Sequence, residues 1–254
     1  MGTVFNDFSE AYDVMFPWEK RMEGERKFYG ELFEREGVTS VLDCACGTGR
    51  HAVLFARLGL RSAGSDLSPE MIKAARRMAL TAGVPLDLRV SSFTELSRNF
   101  QPSERYDAVV CVGNSLTLAP TDDDVALALR EMHGRLNDGG IAVLHIFNWD
   151  RVVREKIRIM PASRGMLGMR DLTFLRVFSH DDEGIRLQIV VMERKEEGVE
   201  TTVLTARQRP VGPELLLRYL KEAGFGQVEC YADQRLNPFD AEASDNLWVV
   251  ARRG

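Results

Sequence analysis

The stretch VLDCACGTGRH, residues 41–51, constrains the fold more than any other: an apolar strand, an acid at its end, and two glycines that lead into a helix. Glycine permits positive φ and close approach of the backbone, so a turn built on Gly47 and Gly49 is a seat for a cofactor. The same strand-then-helix grammar repeats around it. Apolar spacing at Met22, Phe28, Leu32 and Phe33 predicts a helix over 21–35, closed by Gly37, before a strand at 41–42. A helix runs from the glycines to Gly59, and 61–66 reads as a second strand. Ser68 and Pro69 then cap and start a helix carrying Met71, Ile72, Ala75 and Met78, which Gly83 ends. Strands follow at 86–90 and 106–112. Thr121 and the acids Asp122, Asp123 and Asp124 open a helix that 137–140, Asn-Asp-Gly-Gly, closes before the strand 141–147. Strands alternating with helices predict an α/β, doubly wound parallel sheet with ligands beyond the carboxyl ends of its strands.

After residue 150 the pattern changes. Segments 171–178, 185–193 and 199–207, separated by Asp/Glu/Gly turns, predict an antiparallel meander. The chain of 254 residues suits one domain, 1–254, with 165–210 as an antiparallel lid insertion within it. Gly212-Pro213 starts a last helix, and strands around Val228 and at 247–251 finish the sheet. With a net charge of −5 and scattered basic residues, no nucleic-acid partner is expected. No uncharged apolar run approaches the ~20 residues of a membrane span, and the first residues do not read as an export signal, so the cytoplasm is the expected compartment. Cysteines 44, 46, 111 and 230 form no CxxC pair, so no metal is expected and they read as small fillers.

Two cofactor classes fit the turn. GTGRHA, residues 47–52, matches the GxGxxG/A pattern of dinucleotide enzymes, and Asp66 ends the second strand, where a carboxylate grips a ribose diol. Asp43 separates them. A dinucleotide's pyrophosphate sits at the helix N-terminus, where an acid just before the loop would repel it. S-adenosylmethionine has no phosphate and offers an amino group instead.

VLDCACGTGRH, followed by GSDLS (64–68), YDAVVCVGNSL (106–116), LNDGG (136–140) and AGF (223–225), resembles the motif series of class I S-adenosylmethionine-dependent methyltransferases over most of the chain. That resemblance implies a mostly parallel seven-stranded sheet with a reversed last strand, Gly47 and Gly49 against the methionine part of the cofactor, and Asp66 on the ribose hydroxyls. Asp43 and Val112 fall on the cofactor side, and Ala45 stands where the family often has glycine. Ser92 stands where the family often has an acid for the adenine amino group. Phe93, Leu67 and Met71 have two readings, adenine walls or core packing. Arg21 falls near an arginine that binds the cofactor's carboxylate; a solvated helix arginine is the other reading, with Arg26 as a substitute.

Displacement at a sulfonium needs alignment more than a strong base. GNS, 113–115, differs from the (D/N)PP(Y/F) motif of nucleic-acid amino methyltransferases, while the Tyr12-Asp13 segment, CVGNS and the insertion are more similar to glycine N-methyltransferase and related small-molecule N-methyltransferases. Where glycine N-methyltransferase places an arginine for the substrate carboxylate, this chain has Phe147, and its usual histidine is Leu118. The glycine-specific reading is weakened, and the expected acceptor is a small molecule methylated at an amine nitrogen, of an amino acid, an amine or an amino sugar, with a hydroxyl compound as the other reading. The candidate catalytic residues are Tyr12, His145 as a base, and Asn114, with Asn148, Trp149, Arg176 and Arg207 also facing the acceptor. S-adenosyl-L-homocysteine is the expected product, and a homo-oligomer stays open. The rival readings are a non-catalytic S-adenosylmethionine-binding regulator and a nicotinamide-dependent oxidoreductase.

Overall fold

The computed structural model describes residues 9–181 and 184–254; the first eight residues, on which the compartment reading rests, lie outside it. Helices α1 (Ser9–Tyr12) and α2 (Trp18–Arg35), joined by a 3-10 turn at Asp13–Met15, precede the first strand. Strands and helices then alternate: β1 (Ser40–Asp43), α3 (Arg50–Arg57), β2 (Arg61–Asp66), α4 (Pro69–Ala82), β3 (Asp87–Val90), α5 (Leu96–Asn99), β4 (Tyr106–Cys111), α6 (Asp122–Gly134) and β5 (Leu136–Phe147). Helix α7 (Trp149–Arg154) leads to β6 (Ser163–Leu167), β7 (Arg170–Asp181), β8 (Gly184–Arg194) and β9 (Val199–Gln208), and α8 (Pro213–Glu222), β10 (Phe225–Tyr231) and β11 (Asn246–Arg253) complete the chain.

The seven-stranded sheet has the order β10-β11-β5-β4-β1-β2-β3, with β11 antiparallel to both neighbours and the other pairs parallel. This is the Rossmann-like methyltransferase fold that the motifs imply. Alternation along each strand divides its side chains between two cores: Leu42, Val109 and Leu144 pack on one face, Val41, Val110 and Val143 on the other. The helix signals act as expected. The Ser68 hydroxyl accepts from Met71 N, and Thr121 and Asp124 form a reciprocal capping box.

Two expectations need correction. Residues 137–140 do not close a helix, because α6 ends at Gly134 and β5 already pairs at Leu136. They bulge out of β5 opposite Asp107, with Gly139 at φ +74° and Asn137 Nδ2 donating to Asp107 Oδ1 at 2.8 Å. A glycine-rich turn signal therefore marks a bulge. The antiparallel sheet also has four strands, in the order β6-β7-β8-β9, and begins at Ser163. Strand β6 is short and its burial pattern alternates only between half-buried and exposed, so it carries little apolar signal. On β7 and β8, Leu172, Phe174, Ile189 and Val191 build a small core with Met15, while Phe178 and Ile185 join the large core. The second sheet is thereby packed on both the N-terminal segment and the main sheet. No helix among the described residues is long and apolar enough to cross a membrane. Cys44, Cys46 and Cys111 are buried, and among the described residues no three His, Cys, Asp or Glu side chains gather as a metal site.

Candidate active site

Asp43 ends β1 fully buried. Its Oδ1 accepts from Ala45 N at 3.3 Å, and Oδ2 has no partner. Burial pushes this carboxyl up to about 6, against the opposing pull of His51 and with Asp66 and Glu25 adding repulsion. The chain then turns through Gly47 at φ +52° and Gly49 at φ +86°. A Cβ on Gly49 would lie 2.8 Å from the Ala75 Cβ, so the missing side chain lets α3 pack on α4. Across the turn, Asp66 Oδ2 accepts from Gly47 N and Oδ1 from Ser68 N, both at 2.9 Å. A carboxylate oxygen accepts two bonds, so each keeps capacity for a ligand hydroxyl. Burial raises the Asp66 carboxyl above its ordinary value.

Beside Asp66, Leu67 is 55% exposed although apolar. Met71 and Val112 are buried, and Phe93 packs against the main core, so packing is the role the structure displays for these three. The Ser92 hydroxyl bonds Thr94 Oγ1 at 2.8 Å and accepts from Thr94 N, in a local turn.

The N-terminal segment closes over the glycine turn. Asp13 accepts from Thr48 Oγ1 at 2.6 Å and from Arg50 at 3.0 Å, which sets the Tyr12 ring 3.9 Å from the place of a Cβ on Gly47. Burial drives the Tyr12 phenol up to about 12, against the lowering effect of Arg21. It is protonated at neutral pH.

A buried network beneath this segment escapes sequence reading. Arg21 Nε donates to Glu25 Oε1 at 2.7 Å, and its guanidinium lies 4.8 Å from the Trp18 ring centroid. Glu25 has no exposure; Oε2 lies 2.8 Å from His51 Nε2, and Oε1 also accepts from Gln234 Nε2 at 3.0 Å. Burial raises the Glu25 carboxyl, but the His51 and Arg21 bonds prevail and bring it down to about 2. Arg21 is therefore a held side chain and no solvated one. The one available signal was His51, a titratable residue inside the glycine motif.

On the acceptor side the structure engages His145 and Asn114 in hydrogen bonds within the protein. His145 Nδ1 accepts from Gly113 N at 3.2 Å, which places the ring proton on Nε2, 3.1 Å from Asn246 Oδ1. The ring stacks on Trp248 at 4.4 Å, and burial lowers its pKa to about 4. Both ring nitrogens are therefore engaged within the protein. Asn114, held at φ +69°, is likewise consumed: Oδ1 accepts from Phe147 N and Trp149 Nε1, both at 3.1 Å, while Nδ2 donates to Gln208 at 2.9 Å. It ties the end of β4 to β5, α7 and β9, a positioning role. Asn148 caps α7 through Arg151 N, and Arg207 pairs with Asp181. Trp149 is fully buried against Phe147 and Phe178.

Residues 41–140, which contain the glycine turn, Asp43 and Asp66, match the family described as a methyltransferase domain. The whole chain superposes on an S-adenosylmethionine-dependent methyltransferase from Clostridium acetobutylicum with a TM-score of 0.80, at 16% identity, covering 98% of this chain and 99% of the other. Residues 41–140 thus carry a methyltransferase domain, within a chain that has the methyltransferase fold throughout. A glycine/sarcosine N-methyltransferase from Parasynechococcus marenigrum is 27% identical over 227 residues, 89% of this chain and 77% of its relative. The sugar N-methyltransferase KedS8 from a Streptoalloteichus species shares the fold with a TM-score of 0.68 at 23% identity, over 92% of this chain and 88% of the other. The site suits the cofactor of this class, S-adenosylmethionine: a buried carboxylate oxygen without a partner can meet its ammonium group, and the acid that ends β2 keeps acceptor capacity for hydroxyls.

Proposed function

We propose that this methyltransferase transfers the methyl group of S-adenosylmethionine to a nitrogen atom of a small molecule. The observation that carries the reading is the state of the two titratable groups nominated for the acceptor side. His145 has both nitrogens engaged, and Tyr12 is held protonated. A neutral amine attacks with its own lone pair, whereas a hydroxyl needs a base to become a good nucleophile. The chemistry supplied by bound S-adenosylmethionine is a methyl group on a sulfonium, which leaves as neutral S-adenosylhomocysteine. The chain's own contribution is placement. Asp43 and the turn at Ala45, Gly47 and Gly49 would hold the methionine end together with Arg21, Asp66 would hold the ribose, and Leu67 would cover the adenine. The second sheet acts as a lid that Asn114 and Gln208 fasten to the main sheet. The named activities of the glycine/sarcosine and sugar N-methyltransferases support nitrogen as the acceptor atom.

The test begins with calorimetric titration using S-adenosylmethionine, S-adenosylhomocysteine and NADH. Binding of the two sulfur compounds, followed by labelled methyl transfer to amines with a rate that climbs with pH as each amine loses its own proton, is the expected result. Binding of NADH alone would overturn the cofactor. Preferential methylation of alcohols, with an inflection belonging to an enzyme base near neutrality, would overturn the nitrogen assignment.

A further inference from the structure

The inward row of β7 is Leu172, Phe174, Arg176 and Phe178, set by the two-residue period of a strand. The three apolar members are buried, and Arg176 pairs across the sheet with Ile189, which is also buried. An arginine thus occupies a place that the pattern reserves for an apolar side chain. Its guanidinium stands 5.8 Å from the Phe16 ring centroid, and that of Arg21 lies at 5.8 Å from the same ring. Both charges act on Tyr12. Arg164, Arg170, Arg186 and Arg207 of the same sheet each meet a carboxylate. Among the described residues Arg176 meets none, and burial works against its charge. A half-buried cation between a tyrosine and a second arginine is costly unless an anion completes the set.

We propose that Arg176 recognises a carboxylate on the acceptor, so that the molecule methylated at nitrogen is an amino acid or a close relative. This rests on the methyltransferase reading above and deepens it. Position 147 is a phenylalanine that packs on Phe178 and Trp149, so the wall formed by β5 offers no cation. The cation comes instead from the lid, two residues along β7 from Phe178. Arginine suits the task because its planar fork can donate two parallel hydrogen bonds to one carboxylate. Arg21, fixed by Glu25 on the cofactor side, leaves Arg176 for the acceptor.

The experiment uses protein saturated with S-adenosylhomocysteine, titrated with glycine, sarcosine and alanine and, in parallel, with their amides. The expected result is that at least one acid binds more tightly than its amide by about tenfold or more, and that Arg176→Gln removes the preference while Arg176→Lys restores part of it. The affinity of both variants for S-adenosylhomocysteine should stay within about twofold of the parent. Equal binding of acids and amides, or a preference that survives Arg176→Gln, overturns the proposal. Loss of S-adenosylhomocysteine affinity in Arg176→Gln with the acid preference intact assigns the arginine to the cofactor's carboxylate and also overturns it. Failure of the parent protein to bind S-adenosylhomocysteine would strike the underlying cofactor reading, a separate and distinguishable outcome.

Discussion

Replacing Glu25 by glutamine removes one buried charge without opening a cavity, and the structure sets the size of the effect. The carboxylate has no exposure and holds Arg21, His51 and Gln234 together, so solvent screens none of it. The drop of its pKa from 4.5 to about 2 corresponds to roughly 3 kcal/mol of stability at about 1.4 kcal/mol per pH unit. Because the folded-state value is the lower one, this contribution is complete above pH 4.5 and is lost as the pH falls towards 2. Urea unfolding at pH 7 should therefore place Glu25→Gln about 3 kcal/mol below the parent. By pH 3 the gap should shrink to less than about half. A variant within about 1 kcal/mol of the parent at pH 7, or a gap that is the same at pH 7 and pH 3, would show that desolvation of the pair cancels its attraction and would refute the reasoning.

Three further outcomes are expected. Asp66→Ala should weaken S-adenosylhomocysteine binding by ~1.5 to 3 kcal/mol in calorimetry through loss of charge-assisted hydrogen bonds, in a protein that remains folded. Gly49→Ala should destabilise by roughly 2 to 5 kcal/mol in urea unfolding, since φ is +86° and the new Cβ would sit 2.8 Å from Ala75. His145→Phe keeps a ring on Trp248 but strands Gly113 N and Asn246; it should lower stability by about 1 to 3 kcal/mol and leave the shape of the pH profile of kcat/KM unchanged. In the parent, His145 has a folded-state pKa lowered from 6.5 to about 4, so its share of the stability is lost as the pH falls through that interval, which thermal unfolding at pH 7 and pH 5 would register.

The geometry of the glycine turn was legible because its determinants are local. A strand end, an acid, glycines at positive φ and the next strand's acid lie within residues 41–66, and backbone conformation alone makes them informative. The hydrogen-bond state of the acceptor-side candidates was not legible, for the opposite reason. Asn114 and His145 stand where catalytic groups would stand, but their roles depend on partners up to 101 residues away, such as Asn246 and Gln208. Periodicity places a residue on a face; it does not say whether its lone pairs are already taken. The same limit hid the network of Glu25, whose partner Gln234 lies 209 positions along the chain.

Arg176 shows where the two kinds of information meet. Alternation on β7 already turns it towards Leu172 and Phe174, so its inward placement follows from sequence. Its meaning comes from the contrast with the histidine and the asparagine. Those two look reactive in sequence and are satisfied in the fold, whereas Arg176 looks like a misplaced surface charge and is a half-buried cation that meets no carboxylate among the described residues. A polar side chain whose bonds are complete stabilises the protein alone. A buried charge whose bonds are incomplete lowers stability, and binding of the missing ion recovers it. Residues of this kind emerge from hydrogen bonds and ion pairs in three dimensions, which is why Arg176 stands out only once the second sheet is in place.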